Sequence, residues 1–578
     1  MKFDGQAELG YQLPDIEHTT ASDIPLTPSQ LEKWLSELPI LNLNQLAYQI
    51  PKYVQDLNRV RLSDKHRFNM LEQLRPLVAH IYQSLTKRFR GSNLSLSTES
   101  KEIQWLINVL MAEMATGYQH LLFSLAEKNP SLFSRSQYVL LVERTTYYLG
   151  EKICLSYLLS TAVPDSVWQE FNATYAYARK LKFNTKKVKD EFAFLGYNKG
   201  NIDIIYNRIL LLSLVSPYSL RSAEIEQIYF GMLPWLHGMK LININEAKRA
   251  VNVLNLKQDR GPEFQESVLQ SEDKFLIDSS ELLINLKGWL ETGNSPKSAS
   301  YKGMSKKLLN EVISKLASTK QRSEERLYNQ GEHVEVVIGL QNIDVFLGHI
   351  TSLIDESDSP IPEIQIDEEA EELVLNDNAD SDWDTLHFYS PELSPQQRSE
   401  SELAAMEEAK GAEVRRHVFN IENESERGVC LSCSHLHATG LYIGELMFIR
   451  GFDPETWTLG IIRWMTLHNK KLEVGLYLLS AHVDQVTVSR ESMAGDDMII
   501  NALWMAEGEY GDTILLPSAE FKTGDELMLD HKGEALGVTL GNVVWHSEGF
   551  SQFCMVTDDF DLEGVDPKQE FLIPAWAK

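Results

Sequence analysis

The 578-residue sequence has no apolar run long enough to cross a lipid bilayer. A transmembrane helix needs about 20 consecutive apolar residues, whereas the longest candidate, residues 209–215, is short and is interrupted by Ser213. The first residues show no apolar stretch behind a basic start, so no secretory signal is expected. Four cysteines in so long a chain favour a reducing compartment. We therefore predict a cytoplasmic protein without a membrane span.

Familiar catalytic motifs are also missing from the sequence. It contains no Gly-x-x-x-x-Gly-Lys phosphate-binding loop, no Gly-x-Ser-x-Gly nucleophile elbow and no His-Glu-x-x-His zinc motif. The 15 histidines are scattered along the chain rather than grouped with a nucleophile. We therefore predict a binding protein and not an enzyme.

Basic residues are outnumbered by acidic ones, 54 to 83, which gives a formal net charge of -29. So strong a negative charge argues against binding to DNA, RNA or an anionic membrane surface. The charge is concentrated in residues 355–408, where 18 acids face a single base, Arg398, so this segment carries -17 of the total. Because it has little apolar patterning, we predict a disordered insertion. Its apolar residues form either a docking motif for a protein partner or a contact with the rest of the chain: Trp383, Leu386, Phe388 and Tyr389.

A chain of this length exceeds what one hydrophobic core supports, so several domains are expected. Residues 1–24 lack clear periodicity and are predicted to be a flexible tail. Residues 25–240 carry apolar side chains at helical spacing, which predicts an all-α helical array. One such series has spacings of three and four: Leu71, Leu74, Val78, Ile81 and Leu85. Residues 241–304 are interpreted as a mixed connecting region, and residues 305–319 as a helix that leads into the next domain.

Beyond residue 416 the chain has the composition of β-strands, and two of its segments resemble each other. Residues 444–449 followed by 459–464 match residues 524–529 followed by 540–545. Each pair comprises a strand that begins with glycine, a turn, and a Leu-Gly strand that ends in tryptophan. This duplication predicts either two small barrels in tandem or one barrel with a duplicated element. The predicted fold class is α+β multidomain, an all-α array followed by a β-barrel module, with a second small barrel at residues 491–578.

Two short motifs flank the first strands of this β-rich region. Arg322 and Arg326, four residues apart, precede an apolar segment. After the acidic insertion, Asn423, Ser425 and Gly428 form an Asn-x-Ser-x-x-Gly turn at the end of a second strand. An Arg-x-x-x-Arg pair, a strand and an [Asp/Asn]-x-Ser-x-x-Gly turn in this order resemble the signature of PilZ domains. The resemblance assigns residues 305–490 to a PilZ-like barrel interrupted by the acidic insertion.

The PilZ resemblance implies a barrel that binds cyclic di-GMP and needs no other cofactor. It implies that Arg322 and Arg326 clamp an intercalated dimer of the nucleotide, that Asn423 and Ser425 form hydrogen bonds with guanine, and that Gly428 lets the backbone approach the ligand. Guanidinium groups suit this role because they are planar, permanently charged and able to form paired hydrogen bonds to phosphate or guanine. On the residues alone, the two arginines could also be a solvated helix end paired with neighbouring glutamates.

Some features depart from the PilZ pattern. About a hundred residues separate the two motifs, which the acidic insertion accounts for, and the family's frequent aspartate is here Asn423. Acidic side chains near the predicted site would repel phosphates: Glu324, Glu325, Glu424 and Glu426. A degenerate PilZ barrel that binds no nucleotide is therefore the alternative interpretation.

Other candidate residues have simpler interpretations. Arg415 and Arg416 form a rival pair without the four-residue spacing, and we interpret them as charges at a strand edge. Four potential zinc ligands lie within only eight residues, whereas structural zinc sites use ligand pairs separated by a longer loop: Cys430, Cys433, His435 and His437. Trp464 and Trp545 are interpreted as core residues of the barrels.

Two functions remain open on the sequence. The first is a bacterial signalling receptor in which cyclic di-GMP binding at the barrel is coupled to a helical domain that contacts a protein partner, with the 305–319 helix as the lever. The second is a nucleotide-independent scaffold that recruits partners through its helical domain or its acidic insertion. The sequence does not identify the partner.

Overall fold

The computed structural model describes most of the helical and β-rich regions. The described residues are 9–16, 24–39, 42–87, 98–127, 135–194, 200–244, 252–265, 273–292, 304–317, 327–328, 333–355, 416–425, 427–433, 441–450, 457–468, 471–490, 498–508, 510–517, 521–547 and 549–557. The acidic segment 355–408 lies outside them apart from Asp355, as do its four apolar residues.

The N-terminal region is helical, as predicted. Its helices are α1 (Pro28–Glu37), α2 (Leu43–Arg59), α3 (Asp64–Thr86), α4 (Thr98–Glu127), α5 (Arg135–Leu158), α6 (Val167–Lys180), α7 (Glu191–Phe194), α8 (Ile202–Leu214) and α9 (Ser222–Gly231). Helix α1 begins where Thr27 accepts a hydrogen bond from the Gln30 amide and Pro28 occupies the first helical position. Pro76 lies inside α3, which continues past it. None of the helices among the described residues is both long enough and apolar enough to span a membrane.

Residues 9–16 differ from the predicted tail because they pack against the helical core. Leu9 is 1% exposed, and the Tyr11 hydroxyl lies 2.6 Å from the Thr174 hydroxyl in a buried hydrogen bond. These apolar side chains gain stability by leaving water, and this anchors the segment.

The predicted connecting region is also part of the helical domain's core. It forms an antiparallel sheet in the order β1-β4-β2-β3, followed by two helices. The elements are β1 (Lys240–Asn243), β2 (Asn252–Asn255), β3 (Glu263–Phe264), β4 (Lys274–Asp278), α10 (Ser280–Thr292) and α11 (Lys306–Ala317). Leu254, Leu282 and Leu309 are buried in the same apolar cluster as the N-terminal helices. Helix α11 matches the predicted 305–319 helix closely.

The first barrel is closed and six-stranded, with neighbours in the order β10-β7-β6-β5-β8-β9. Its strands are β5 (His333–Ile338), β6 (His417–Ser425), β7 (Gly428–Cys433), β8 (Leu446–Arg450), β9 (Trp457–His468) and β10 (Lys471–Ser480). Alternate residues point inward, as expected for strands, and fill the interior with side chains such as Val336, Phe419, Leu431 and Val474.

A second closed barrel follows, which confirms the tandem interpretation. Its strands are β11 (Val483–Arg490), β12 (Met498–Gly508), β13 (Gly511–Pro517), β14 (Glu526–His531), β15 (Glu534–His546) and β16 (Phe550–Thr557). Strand β11 belongs to this barrel, so the second barrel begins before the expected boundary at residue 490. Only two residues, Ala481 and His482, separate β10 from β11. So short a connection has no linker composition, and the sequence therefore did not show the boundary.

The duplicated segments occupy corresponding places in the two barrels only in their first halves. Gly444 and Gly524 precede β8 and β14 with φ values of +92° and +91°, a region that favours glycine. The Gly444 amide donates to the Ile462 carbonyl, and the Gly524 amide donates to the Leu540 carbonyl. Ile462 and Leu540 therefore occupy the same position in the two barrels. The sequence comparison aligned Leu540 with Leu459 instead. The residue of the first barrel that matches Leu540 in the fold therefore lies three positions after the one that matches it in sequence.

One helix joins the two barrels. Helix α12 (Leu340–Asp355) follows β5, and its Ile343 lies in an apolar cluster with Phe448 of the first barrel and Leu515 of the second. Asp344 accepts hydrogen bonds from the side chains of Gln485 and Asn501. The barrels therefore share a core of their own, separate from their interiors.

The helical domain is bonded directly to β9 of the first barrel. The amide of Ala162 donates to the carbonyl of Leu467 at 3.0 Å, and the amide of Leu467 donates to Ser160 at 2.7 Å. These bonds form a short parallel bridge between the loop after α5 and the strand. Through this bridge, the backbone of β9 is hydrogen-bonded directly to the helical domain.

Candidate functional site

The Asn-x-Ser-x-x-Gly motif lies in the hairpin between β6 and β7. Ser425 is the last residue of β6 and is paired with Gly428, the first residue of β7. The Ser425 hydroxyl donates to the Gly428 carbonyl at 3.3 Å, which closes the hairpin. A Cβ on Gly428 would lie 3.0 Å from the backbone oxygen of Leu476. A side chain here would crowd the backbone of β10, so glycine lets the neighbouring strand approach closely.

A β-bulge turns Asn423 and Ser425 towards the outside of the barrel. Ile421 is paired with Leu431, and both are buried in the barrel interior. The extra residue, Glu422, breaks the alternation, so that Asn423 is opposite Cys430 and lies on the outer face. The structure therefore brings the amide, the hydroxyl and the glycine together on one outer surface.

The two motif arginines lie outside the described residues, but the residue after them is described. Leu327 directly follows Arg326 in the chain and forms an antiparallel bridge with Glu424. Its amide donates to the Glu424 carbonyl at 3.0 Å, and the Glu424 amide donates back at 2.9 Å. Glu424 stands between Asn423 and Ser425. The end of the arginine segment is therefore bonded to the centre of the second motif.

Trp464 extends the same outer surface across the barrel. It is paired with Gly475, which is paired with Cys430, which is in turn opposite Asn423. The indole lies directly on Gly475, since a Cβ there would be 1.9 Å from Nε1. We define the outer-face row Asn423–Cys430–Gly475–Trp464 as the platform. It joins polar groups at one end to an aromatic ring at the other.

The interpretation of Trp464 and Trp545 as core residues is corrected by their positions. A register shift between Gly475 and Leu476 places an extra residue on β9, so Arg463 and Trp464 both leave the interior that Ile462 and Met465 occupy. Trp545 packs between the barrels and not within one. A single bulge does not show in the pattern of apolar residues, so the outward position of Trp464 could not be read from the sequence. The glycine opposite it, Gly475, was the one available signal.

Two acidic groups of the first barrel, Glu422 and Glu335, are paired with cations. The Glu422 carboxylate accepts hydrogen bonds from Lys471 at 2.7 Å and Ser432 at 2.6 Å, and these bonds hold the pKa of Glu422 below its usual range. On the adjoining strands, Arg416 lies 2.9 Å from Glu335. Arg416 is thus an ion-pair partner across β5 and β6, while its neighbour Arg415 lies outside the described residues. The same holds for three glutamates near the predicted site: Glu324, Glu325 and Glu426.

The cysteines of β7 are buried. Cys433 lies in the barrel interior, where burial raises the pKa of its thiol to about 12. Cys430 lies on the outer face as part of the platform and is also buried. His435 and His437 fall outside the described residues. Among the residues that are described, no group of three or more His, Cys, Asp or Glu side chains is placed to hold a metal ion.

Comparison with known proteins adds two family matches. Residues 29–245 match the family model described as the N-terminal domain of the cyclic-di-GMP receptor FimW. Residues 251–484 match the model of the middle PilZ domain of the same receptor. A protein of Pseudomonas aeruginosa named cyclic-di-GMP receptor FimW is 22% identical to the chain over 571 residues, which are 94% of this chain and 93% of that protein. No solved structure matches the chain significantly.

Proposed function

We propose that this chain, which belongs to the PilZ-type family of cyclic di-GMP receptors, binds cyclic di-GMP on the platform of its first barrel. The proposed ligand contacts are Arg322, Arg326, Asn423, Ser425 and Gly428. The nucleotide is the sole small-molecule ligand in this proposal, and no other cofactor is required.

The bridge between Leu327 and Glu424 is the observation that carries this proposal. The backbone of Leu327 is hydrogen-bonded to Glu424, which stands between Asn423 and Ser425. Arg326 is the residue before Leu327, and consecutive Cα atoms are only about 3.8 Å apart. Arg322 precedes it by four residues, a distance that an arginine side chain and a short backbone segment can cover. The bonded backbone of Leu327 supports the proposal that the two motifs, about a hundred residues apart in sequence, meet on one outer surface.

The chemistry of this surface suits a cyclic dinucleotide. Amide and hydroxyl side chains such as Asn423 and Ser425 can donate to and accept from a guanine edge. Arginines bind phosphate oxygens through paired, charge-assisted hydrogen bonds. The Trp464 indole offers a flat surface against which a base can stack. Glu422 does not oppose a phosphate strongly, because Lys471 compensates its charge.

In this proposal the protein is not an enzyme, and nucleotide binding at the barrel is coupled to the helical domain. We assign the protein to the cytoplasm, where the nucleotide would bind and the helical domain would present its surface to a protein partner. The bridge from β9 to Ser160 and Ala162 supports this coupling, because it connects the barrel to the helical domain through the backbone. The acidic insertion is a second candidate surface for a partner.

Calorimetric titration of the full chain with cyclic di-GMP tests the proposal. We expect saturable binding by the intact protein, and a loss of affinity of about 10- to 150-fold in Arg322→Ala or Arg326→Ala, since a hydrogen bond to a charged group contributes about 1.5–3 kcal/mol. Arg450→Ala is the matched control, because Arg450 pairs with Glu335 on β5 at 3.5 Å and lies away from the platform. An intact, folded protein that binds no cyclic di-GMP, yet still captures its partner, would contradict the proposal and support the scaffold alternative.

A further inference from the structure

The second barrel has the same strand plan as the first. In the first barrel the order is β8-β5-β6-β7-β10-β9, and in the second it is β14-β11-β12-β13-β16-β15, closed in both cases. Each strand of one barrel therefore has a counterpart six elements later in the other. The paired glycines before β8 and β14 make the same backbone hydrogen bonds. Strand order and turn geometry together indicate two copies of one domain, although the matched PilZ model ends at residue 484.

The hairpin that carries the ligand motif has an equivalent in the second barrel. Ser425 is paired with Gly428 in one hairpin, and Gly508 with Gly511 in the other. Both hairpins have a register irregularity, between Ile421 and Asn423 in the first and between Met505 and Gly508 in the second, so the extra residues fall at different pairs. Counted from the glycine of the turn, the Asn-x-Ser-x-x-Gly motif corresponds to Ala506, Gly508 and Gly511. By strand pairing, the residue opposite Thr513, the counterpart of Cys430, is Met505. The glycine of the turn is kept, while the amide and the hydroxyl are replaced by groups that cannot recognise a base.

The outer face beside this hairpin also differs between the copies. In the first barrel the row Asn420–Ser432–Glu473 is polar. In the second barrel the equivalent row is Leu503–Leu515–Gln552. Leu503 and Leu515 are both 0% exposed and are buried in the cluster that contains Ile343 of α12 and Phe448 of the first barrel.

Two further positions on the outer face also differ between the two barrels. Lys471, which forms an ion pair with Glu422 in the first barrel, corresponds to Phe550, which is buried between the barrels. Gly475 of the platform corresponds to Cys554, since these residues are paired with Cys430 and Thr513. The position that leaves space for an indole in the first barrel is therefore occupied by a side chain in the second.

We infer that the second barrel is a PilZ-type barrel that has exchanged its ligand face for a docking face, so that the chain has one cyclic di-GMP site and not two. This inference rests on the proposed function for its nucleotide part. The face equivalent to the platform side of the first barrel is turned against α12 and the first barrel. The second barrel is thus an internal partner of the receptor and not a second receptor.

Titration of the double variant Asn423→Ala/Ser425→Ala tests the single site. We expect the full chain to lose nearly all of its binding capacity for cyclic di-GMP, because the second barrel offers no substitute. Ala506→Asn/Gly508→Ser, which restores the motif letters in the second barrel without an arginine pair, should leave the capacity unchanged. Residual binding at about half of the intact capacity in the first variant would overturn the inference. Absence of binding by the intact chain would instead refute the proposed function.

Amide hydrogen exchange tests the docking face without any nucleotide. Leu503→Asn/Leu515→Ser gives the second barrel the residues of the first, and we expect exchange in α12 to become about tenfold faster or more as the barrels separate. Amides of β14 should keep their protection, which shows that the barrel itself remains folded. Ile499→Asn is the matched control, because Ile499 lies on the same strand but is 67% exposed. Unchanged exchange in α12 with a folded double variant would contradict the inference.

Discussion

Gly475 is the residue on which the shape of the platform depends. Any side chain at this position collides with the Trp464 indole, because a Cβ would lie within 3 Å of three of its ring atoms. The ring therefore has to rotate away, or the strands have to separate. Either movement takes the aromatic end of the platform out of line with Asn423.

Gly475→Ala should weaken cyclic di-GMP binding while the barrel stays folded. Stacking on an aromatic ring contributes about 1–3 kcal/mol per base, so we expect about a 5- to 150-fold loss of affinity by calorimetry. Gly288→Ala in α10 is the control, since a Cβ there meets nothing within 4 Å. Unchanged affinity with a displaced indole would show that the base does not stack on Trp464.

A group of buried charges lies inside the helical domain. Arg144 donates to Asp190 and to Glu143, each at 2.6 Å, and Arg75 donates to Asp190 at 2.7 Å. Burial raises the pKa of Glu143 to about 8. Burial also acts to raise the pKa of Asp190, but the two guanidinium groups outweigh it and hold that pKa below its usual range. These shifts favour the protonated form of Glu143 and the ionised form of Asp190 near neutral pH.

Because Glu143 binds its proton more tightly in the folded protein, the helical domain should lose stability as pH rises. In the unfolded chain the carboxyl ionises near its ordinary pKa of 4.5, so the folded state holds the extra proton between about pH 4.5 and about pH 8. The free energy of unfolding should fall across this range and level off above it. Glu143→Gln should flatten the dependence, as measured by urea denaturation at several pH values with helical circular dichroism. The surface variant Glu281→Gln should leave the slope as it is, and an equally steep slope in Glu143→Gln would contradict the assignment.

Strand β9 contacts the second barrel and the helical domain as well as forming part of the platform. Its Trp464 is part of the platform, its Arg463 lies 4.8 Å from the Trp545 ring of the second barrel, and its Leu467 is bonded to the helical domain. The sequence interpretation gave the role of lever to the 305–319 helix. For the proposed coupling, β9 offers a second route, because its Trp464 lies in the platform and its Leu467, three residues on, is hydrogen-bonded to the helical domain.

Ala162→Pro should uncouple the helical domain from the ligand site. Proline removes the amide that donates to Leu467, and the residue before it, Thr161, already takes part in a β-bridge, which suits a position before proline. We expect cyclic di-GMP affinity to stay within about twofold, while the ligand-induced slowing of amide exchange at residues 159–161 disappears. Ala162→Gly, which keeps the amide, should retain that slowing. If the proline variant retains it too, the signal takes another route.

The sequence predicted elements better than their connections. Helix α8 (Ile202–Leu214) has the apolar composition of a buried helix and lies within residues 25–240, which were predicted to be helical. The turn of the Asn-x-Ser-x-x-Gly motif was predicted because the order and spacing of its residues resemble the PilZ signature. The orientation of Trp464 was not, because one extra residue at Arg463 reverses which side chains face out. Tertiary contacts decide such bulges, and they leave no pattern in a single strand.

At the level of the whole chain, three bodies meet at one place. Arg221, which precedes α9 in the helical domain, donates to the Ile443 carbonyl of the first barrel at 3.2 Å. Its guanidinium lies 5.7 Å from the Tyr442 ring, and a Cβ on Gly549 of the second barrel would be 2.5 Å from the Tyr442 hydroxyl oxygen. Helical domain, first barrel and second barrel therefore touch within a few residues of one another. A change in any one of them has short paths to the other two.

The link of Ala481 and His482 between the barrels has a consequence for how they stay together. Two partners held by so short a tether meet at an effective concentration far above that of free proteins in a cell, on the order of millimolar even for flexible tethers. Their contact therefore does not depend on expression level or dilution.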